Sequence, residues 1–228
     1  GHLASKLYAP PRLSMSDAPL DSLGKLRCVV FDLDDTLWNT LETLNRAHAS
    51  MREVLAERCS EVDAEFGDMA KFREQMVISM QENPDMKHDF TFIRQETLRR
   101  ITGNDSVAME AYEAWYQKRN NPTFFPGALE LLKKLRTSGV TVGTLTDGNA
   151  DPMSMDGLRE LVDFSVSAAE VGAPKPDPRM FAQCEEKASC SPSEMLMVGD
   201  NEEKDVVGAK DAGWRAVWVR PPANGLAI

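Results

Sequence analysis

The sequence has little cysteine. Its 228 residues include only four cysteines, and no two of them form a C-x-x-C pair: Cys28, Cys59, Cys184 and Cys190. Close cysteine pairs are typical of zinc sites and of small disulfide frameworks, so we expect neither. Unpaired cysteines indicate a reducing compartment. We therefore expect a cytoplasmic protein, or one that reaches an organelle and then loses a targeting segment.

Long hydrophobic runs are also missing, and so is an excess of positive charge. No apolar stretch approaches the roughly 18 residues that a membrane-spanning helix needs. The 26 Lys and Arg residues are outnumbered by 36 Asp and Glu residues, which gives a net charge of -10. Nucleic acid and anionic membranes repel an acidic protein, so we expect neither as a partner. Small phosphorylated metabolites remain candidates, because a metal ion and a few cations can reverse the field inside one cleft.

The first methionine is Met15, and the residues that follow it, Ser16 to Pro19, look like a natural protein start. We interpret residues 1–14 as an expression or processing remnant and leave them out of the fold prediction. Hydrophobic residues make up 42% of the sequence, which is enough for a globular core.

What is present is an alternation of short apolar runs with helical patterns. The apolar runs predict five strands, at residues 27–31, 140–145, 163–166, 195–198 and 215–219. Strands that alternate with helices are typical of a parallel sheet covered by helices on both faces. The sequence therefore predicts an α/β fold in three layers.

Residues 39–122 interrupt this alternation. No strand pattern occurs there, and amphipathic patterns predict roughly four helices, at residues 41–55, 64–80, 90–101 and 107–118. We therefore expect an all-helical insert, with a core domain formed by residues 15–38 and 123–228.

Polar and charged residues follow the predicted strands. Asp32 and Asp34 come after the first strand, Thr146 after the second and Asp200 after the fourth, while Lys175 lies in the loop after the third. Ligands of open α/β sheets bind beyond the carboxyl ends of the strands. We therefore expect these five side chains to converge on one edge of the sheet.

Their residue types suit the hydrolysis of a phosphate monoester. A carboxylate that attacks an anionic phosphate needs a metal ion to reduce the repulsion, and Mg²⁺ prefers oxygen ligands. We expect Asp32 to bind Mg²⁺ and attack phosphorus, and Asp34 to act as general acid and then as general base. Thr146 and Lys175 would hold the phosphoryl oxygens.

Five short segments follow one another along the chain: FDLDDTL at 31–37, FPG at 125–127, TLTDGN at 144–149, KPDP at 175–178 and VGDNEEKD at 198–205. Together they resemble the haloacid dehalogenase-like hydrolase superfamily, in its phosphatase branch with a helical cap after the first strand. The resemblance covers residue 28 to about residue 221. It implies a three-layer, Rossmann-like parallel-sheet core with an inserted all-α cap domain, and an aspartyl-phosphate intermediate.

The resemblance also implies individual roles. Asp32 would be the nucleophile and Asp34 the acid and base, with Lys175 as a third catalytic residue. The metal would be held by Asp32, the backbone carbonyl of Asp34, and Asp200, with Asp205 supporting the site directly or through water. Thr146, Asp147 and Lys175 would bind the phosphate.

Two positions depart from common members of the family. Asp34 stands where dehalogenases carry a non-acidic residue and phosphonatases carry alanine, which disfavours both activities. Asp147 stands where many relatives carry Asn, and we expect an effect on substrate preference. Candidate specificity residues are Trp38, His48 and Asn149, and three arginines of the insert could contact an anionic or polar substrate: Arg94, Arg99 and Arg100.

The substrate itself stays open among sugar phosphates, nucleotides and flavin-pathway phosphates. A phosphomutase shares the same motifs, and a non-catalytic sensor of phosphorylated metabolites or a protein phosphatase are further alternatives. A cap of about 80 residues would hinder a folded protein substrate. Because no heptad pattern stands out, we expect a monomer or a weak homodimer.

Overall fold

The computed structural model describes residues 26–219, and five parallel strands form its centre. They are β1 (Cys28–Phe31), β2 (Thr141–Thr146), β3 (Phe164–Ser167), β4 (Met195–Gly199) and β5 (Arg215–Trp218), in the spatial order β3-β2-β1-β4-β5. All five predicted strands are confirmed, and each boundary lies within one residue of its predicted place. The interpretation of residues 1–14 lies outside the described residues.

Helices cover both faces of the sheet, as the α/β prediction requires. Side chains alternate along β1, so that Val30 packs in one buried cluster with α8 (Pro178–Ala188), while Val29 packs in a second cluster with α6 (Ala128–Thr137). The central strand is buried on both faces, which explains its continuous apolar sequence. The remaining helices on the sheet side are short: α7 (Ala168–Val171), a π-helical turn at Glu202–Val207, and α9 (Gly208–Asp211).

The insert contains helices only. They are α1 (Thr40–Arg58), α2 (Ser60–Phe66), α3 (Met69–Glu82), α4 (Phe90–Thr102) and α5 (Asp105–Arg119). Their apolar faces form a third buried cluster, separate from the two clusters of the sheet, around Met51, Leu98 and Trp115. The helical character of residues 39–122 therefore agrees with the sequence, while the division into domains stays a prediction.

One predicted helix is in fact two. The pattern over residues 64–80 breaks at Gly67 and Asp68, where α2 ends and α3 begins. The carboxylate of Asp68 accepts hydrogen bonds from the backbone N–H groups of Ala70 and Lys71, at 2.9 and 3.2 Å. Such an N-cap contributes about 1 kcal/mol to a helix start. The apolar spacing continues across the break, so periodicity alone predicts a single helix.

Two chain segments connect the sheet to the insert, and they lie side by side. Trp38, in the segment that leaves the sheet, forms a β-bridge with Phe124, in the segment that returns to it, and their rings meet edge to face. The N–H of Phe125 also donates to the carbonyl of Leu37 at 2.8 Å. The insert therefore begins and ends at one place, next to the carboxyl end of β1. Among residues 26–219, no helix is long and apolar enough to cross a membrane.

Candidate active site

The centre of the site is a buried ion pair between Asp32 and Lys175. Asp32 follows β1 directly, and its backbone N–H continues the sheet with a 2.9 Å bond to the carbonyl of Val198. The Lys175 ammonium donates to Asp32 Oδ1 at 2.7 Å, to Asp205 Oδ1 at 2.6 Å and to the carbonyl of Leu145 at 3.0 Å. These bonds use all three N–H donors of the ammonium. The lysine side chain is only 3% exposed, and the two carboxylates balance its buried positive charge.

Burial and charge shift the pKa values of this pair. Burial raises the pKa of Asp32 to about 7, although the neighbouring ammonium of Lys175 opposes the rise. Burial alone would lower the pKa of Lys175, but the carboxylates of Asp32 and Asp205 raise it above its ordinary value. Lys175 therefore stays charged at neutral pH. The second oxygen of Asp32 accepts a 3.2 Å bond from the Thr36 hydroxyl.

Three carboxylates meet at a point that suits a divalent cation. Asp32, Asp200 and Asp205 each place one oxygen within 4.8 Å of the others. Burial raises the pKa of Asp200, with Asp205 and then Asp35 adding to the rise, as expected where carboxylates are crowded without enough positive charge. An all-oxygen donor set with excess negative charge fits Mg²⁺. The predicted role of the Asp34 carbonyl stays a prediction.

Asp34 is held by two side chains. Arg119, the last residue of α5, donates from Nη1 to Oδ1 at 2.9 Å and from Nη2 to Oδ2 at 2.5 Å, and the indole N–H of Trp38 donates to Oδ1 at 2.9 Å. A β-carbon at Gly148 would lie 3.0 Å from Asp34 Oδ2 and 3.2 Å from Arg119 Nη2, so a larger residue there would press on this pair. Arg119 was missed by the sequence prediction, because nothing local in the sequence connects it with Asp34.

The segment after β2 contributes Thr146 and Asp147. The Thr146 hydroxyl accepts from the N–H of Gly148 at 2.9 Å. The carboxylate of Asp147 accepts from the backbone N–H of Lys175 at 2.7 Å and from the ammonium of Lys204 at 2.8 Å. Asp147 thus positions two lysines, and its phosphate-binding role stays a prediction. Lys204 was also missed, although it lies inside the quoted segment 198–205.

A cavity of about 410 Å³ opens beyond Asp34, between the sheet edge and the insert. Its walls are mainly apolar side chains of the insert and include Leu44, Met76, Met80, Phe90 and Trp115. Asn149 lines it too, and its role in specificity stays a prediction. Arginines form its polar part: Arg73, Arg94 and Arg119.

The other two candidate specificity residues lie elsewhere. Trp38 is fully buried, and its indole N–H is bonded to Asp34. His48 bonds through Nε2 to the carbonyl of Gly67 at 2.8 Å and meets Phe72 edge to face, which places it in the interior of the insert. In this arrangement neither ring lines the cavity beyond Asp34.

Comparison with known proteins identifies similar sequences and folds. The sequence matches the haloacid dehalogenase-like hydrolase family over residues 26–213. A glyceraldehyde 3-phosphate phosphatase from Pyrococcus abyssi is 30% identical over 86% of this chain and 82% of that protein. The 5-amino-6-(5-phospho-D-ribitylamino)uracil phosphatase YigB from Escherichia coli is 26% identical over 90% of this chain and 87% of that protein.

A solved structure, that of a 2-haloacid dehalogenase from Pseudomonas syringae pv. Tomato DC3000, aligns with a TM-score of 0.79 and 29% identity. The alignment covers 89% of this chain and 90% of that chain. The similarity therefore includes the insert as well as the sheet.

Proposed function

We propose that this chain, which belongs to the haloacid dehalogenase-like hydrolase family, is a Mg²⁺-dependent phosphatase of small phosphorylated metabolites. The observation that supports this most directly is the buried Asp32 carboxylate, bonded to Lys175 and grouped with Asp200 and Asp205. A nucleophilic carboxylate, a fixed cation and further metal ligands are what attack on a phosphate monoester requires.

Asp32, Asp200 and Asp205 would hold Mg²⁺, which would reduce the repulsion between a carboxylate and a phosphate. The protein supplies the rest of the positive charge. Lys175 is fixed by three hydrogen bonds beside Asp32, so its positive charge is already in place to stabilise the negative charge that develops during attack. A direct bond to a phosphoryl oxygen would replace one of these three. Thr146 offers its hydroxyl to the same oxygens.

Transfer of the phosphoryl group takes two steps. In the first, an Asp32 oxygen forms a bond to phosphorus while the bond from phosphorus to the ester oxygen breaks, and Asp34 gives its proton to the leaving oxygen. In the second, a water molecule gives a proton to Asp34 and attacks phosphorus, which breaks the bond to Asp32. The products are an alcohol and inorganic phosphate, and both carboxyl groups return to their starting states.

We propose that residues 39–122 act as a cap over this site. Three features support the proposal: the two connections lie side by side, α5 delivers Arg119 to Asp34, and the 410 Å³ cavity lies between the insert and the sheet edge. A cap that closes over substrate excludes water during the first step and brings specificity residues to the leaving group.

The first test is the variant Asp32→Asn, assayed for phosphate release from 4-nitrophenyl phosphate in Mg²⁺. We expect turnover to be abolished while circular dichroism and the melting temperature stay close to those of the unchanged protein. Asp177→Asn is the matched control, because Asp177 is paired with Arg179 on the surface. Ordinary turnover by Asp32→Asn would contradict the nucleophile assignment. Chromatography for isomerised sugar phosphates separates a phosphatase from a phosphomutase.

Dehalogenation is a second candidate, because the solved structure with a TM-score of 0.79 is that of a 2-haloacid dehalogenase. The chemistry of Asp34 favours the phosphatase. A halide leaves as an anion and needs no proton, whereas an alcohol leaving group does, and Asp34 lies at the mouth of the cavity with its carboxylate already positioned. Chloride release from 2-chloropropionate, without phosphate release from any ester, would reverse this preference.

A further inference from the structure

Arg94 is a partly buried cation that pairs with no acidic side chain among residues 26–219. Its guanidinium lies 3.9 Å from the ring centre of Trp115 and 5.2 Å from that of Phe72. Its Nε is buried and makes no hydrogen bond. A buried donor without a partner costs about 1–3 kcal/mol, and more when the group is charged. The two aromatic faces recover part of this cost, but the Nε–H of Arg94 stays without a hydrogen-bond partner.

Nearby arginines show that acidic partners are available in the insert. Arg99 pairs with Asp105 at 2.6 Å, and Arg100 lies 3.7 Å from Glu82. Arg119 is bonded to Asp34. Arg94 differs from them because the charged side chains that act on it are two other arginines, Arg119 and Arg73. Burial, together with the charges of Arg119 and Arg73, lowers the pKa of Arg94 to about 9. At neutral pH it still carries its charge.

The 410 Å³ cavity brings Arg94 and the catalytic residue Asp34 to one space. Asp34 and Gly148 line it from the sheet domain, and Arg73 and Arg94 line it from the insert. The rest of its lining from the insert is mainly apolar: Leu44, Met76, Val77, Met80, Phe90 and Trp115. A substrate with its phosphate at Asp32 and its remaining part in this cavity would meet apolar side chains together with Arg73 and Arg94.

We propose that the substrate carries a second anionic group besides its phosphate, separated from it by a ring or other apolar unit, and that Arg94 binds this group with Arg73 beside it. This inference rests on the proposed phosphatase function. The anion is a carboxylate or a second phosphate, because both present the paired oxygens that a guanidinium binds through two N–H groups. Binding would place an anion against Arg94 and balance the excess of arginines over carboxylates in the lining of the cavity.

The test compares three aryl phosphates that differ only at the para position: 4-carboxyphenyl phosphate, its neutral isostere 4-carbamoylphenyl phosphate, and benzene-1,4-diyl bisphosphate. We expect kcat/KM for a charged substrate to exceed that for the carbamoyl compound by roughly 10- to 100-fold, the range of a charged hydrogen bond. Whichever charged substrate shows the preference identifies the anion. Ratios near 1 for both would overturn the inference.

Two variants assign the preference to the arginine. Arg94→Met keeps an apolar contact with Trp115 and should reduce the ratio to near 1. Arg99→Met is the matched control on the same helix, because Arg99 is surface-exposed and paired with Asp105, and it should keep the ratio. An unchanged ratio in Arg94→Met would contradict the assignment. If Arg94→Met does not fold, Arg73→Met replaces it, because Arg73 is exposed and its loss should leave the fold intact. For Arg73→Met we expect a smaller reduction of the kcat/KM ratio.

Failure of the inference and failure of the proposed function are distinguishable. If all three compounds release phosphate at similar rates, the function stands and the inference fails. If none releases phosphate, the function fails, and calorimetric binding of 4-carboxyphenyl and 4-carbamoylphenyl phosphate then decides the inference. Tighter binding of the carboxylate that is lost in Arg94→Met supports it, and equal affinities contradict it.

Discussion

Arg119 clamps both carboxylate oxygens of Asp34, across 85 residues of sequence. The contact joins the last turn of α5 to the loop after β1, so it ties the insert to the reaction centre. Both oxygens accept hydrogen bonds in this arrangement, which suits the second step, where Asp34 accepts a proton. The acid form needed in the first step requires this clamp to loosen. Substrate that draws the guanidinium towards its own phosphate would have that effect.

Loss of the clamp should destabilise the protein. In Arg119→Met, Asp34 keeps only the Trp38 indole, and we expect the free energy of unfolding to fall by about 1–3 kcal/mol. This is less than the 3–5 kcal/mol of a fully buried pair, because the Asp34 side chain is 24% exposed and solvent screens it. Urea denaturation measures the change. Arg58→Met, which breaks a surface pair with Glu110, should cost under about 1 kcal/mol, and equal losses in the two variants would contradict the prediction.

Two substrates whose leaving groups differ in their need for a proton test the role of Asp34 as general acid. In Asp34→Asn we expect hydrolysis of an alkyl phosphate to fall by roughly 10²- to 10⁴-fold, the usual contribution of general acid catalysis. With 4-nitrophenyl phosphate the leaving group needs no proton, so the first step survives and the second slows. The expected signature is a rapid burst of nitrophenolate, followed by slow turnover. Equal losses on both substrates, without a burst, would place the proton transfer elsewhere.

Metal binding should be visible without any assay of turnover. Mg²⁺ that binds the three carboxylates of the folded protein stabilises it, so we expect the melting temperature to rise with added Mg²⁺ and to fall in excess chelator. Phosphate release should disappear with chelator and return with Mg²⁺. Asp200→Asn should weaken the thermal shift at a given Mg²⁺ concentration. A shift of the same size in that variant would remove Asp200 from the metal site.

His48 predicts a pH dependence of stability. Burial lowers its pKa most, and the guanidinium groups of Arg94 and Arg52 act in the same direction, while the Gly67 carbonyl and Asp68 oppose them. The unfolded chain then binds the proton more readily than the folded one. Stability is therefore greatest above about pH 6.5, the ordinary value for histidine, and is lost as the pH falls through the folded value.

The variant His48→Gln tests this, because an amide can still donate to the Gly67 carbonyl. We expect the wild-type protein to lose stability from about pH 7.5 to about pH 5.5 in urea denaturation, at up to about 1.4 kcal/mol per pH unit for this group. The variant should lose less over the same range. His88→Gln controls for the removal of one histidine. A constant difference between wild type and His48→Gln at all pH values would contradict the prediction.

The sheet and its catalytic edge could be predicted from the sequence for a physical reason. Strands buried on both faces must be apolar throughout, so β1 stands out as a run of Cys, Val and Phe, and β4 as a run of Met, Leu and Val. Parallel strands end at one edge, which brings Asp32, Lys175 and Asp200 together without any knowledge of distances. Local patterns and topology were therefore enough.

The parts that were missed depend on packing between distant helices. Arg119 looks like an ordinary charged residue on an amphipathic helix, and only the assembled insert shows that Asp34 is its partner. Arg94 was one of three candidate arginines, and the sequence could not separate it from Arg99 and Arg100, which lie beside Asp105 and Glu82. Similarly, the break at Gly67 and Asp68 depends on a cap that the apolar spacing hides. Trp38 was predicted to be a specificity residue, but its position inside the connection is set by Phe124 on the returning segment.

The paired connections at Trp38 and Phe124 have an evolutionary consequence. A segment whose two ends lie together can be lengthened, shortened or exchanged without moving the strands that flank it, as with domain insertions in general. Selection on the insert can then change which molecule is accepted, while the carboxylates at the sheet edge keep the same reaction. In this architecture a new substrate preference does not require a new catalyst.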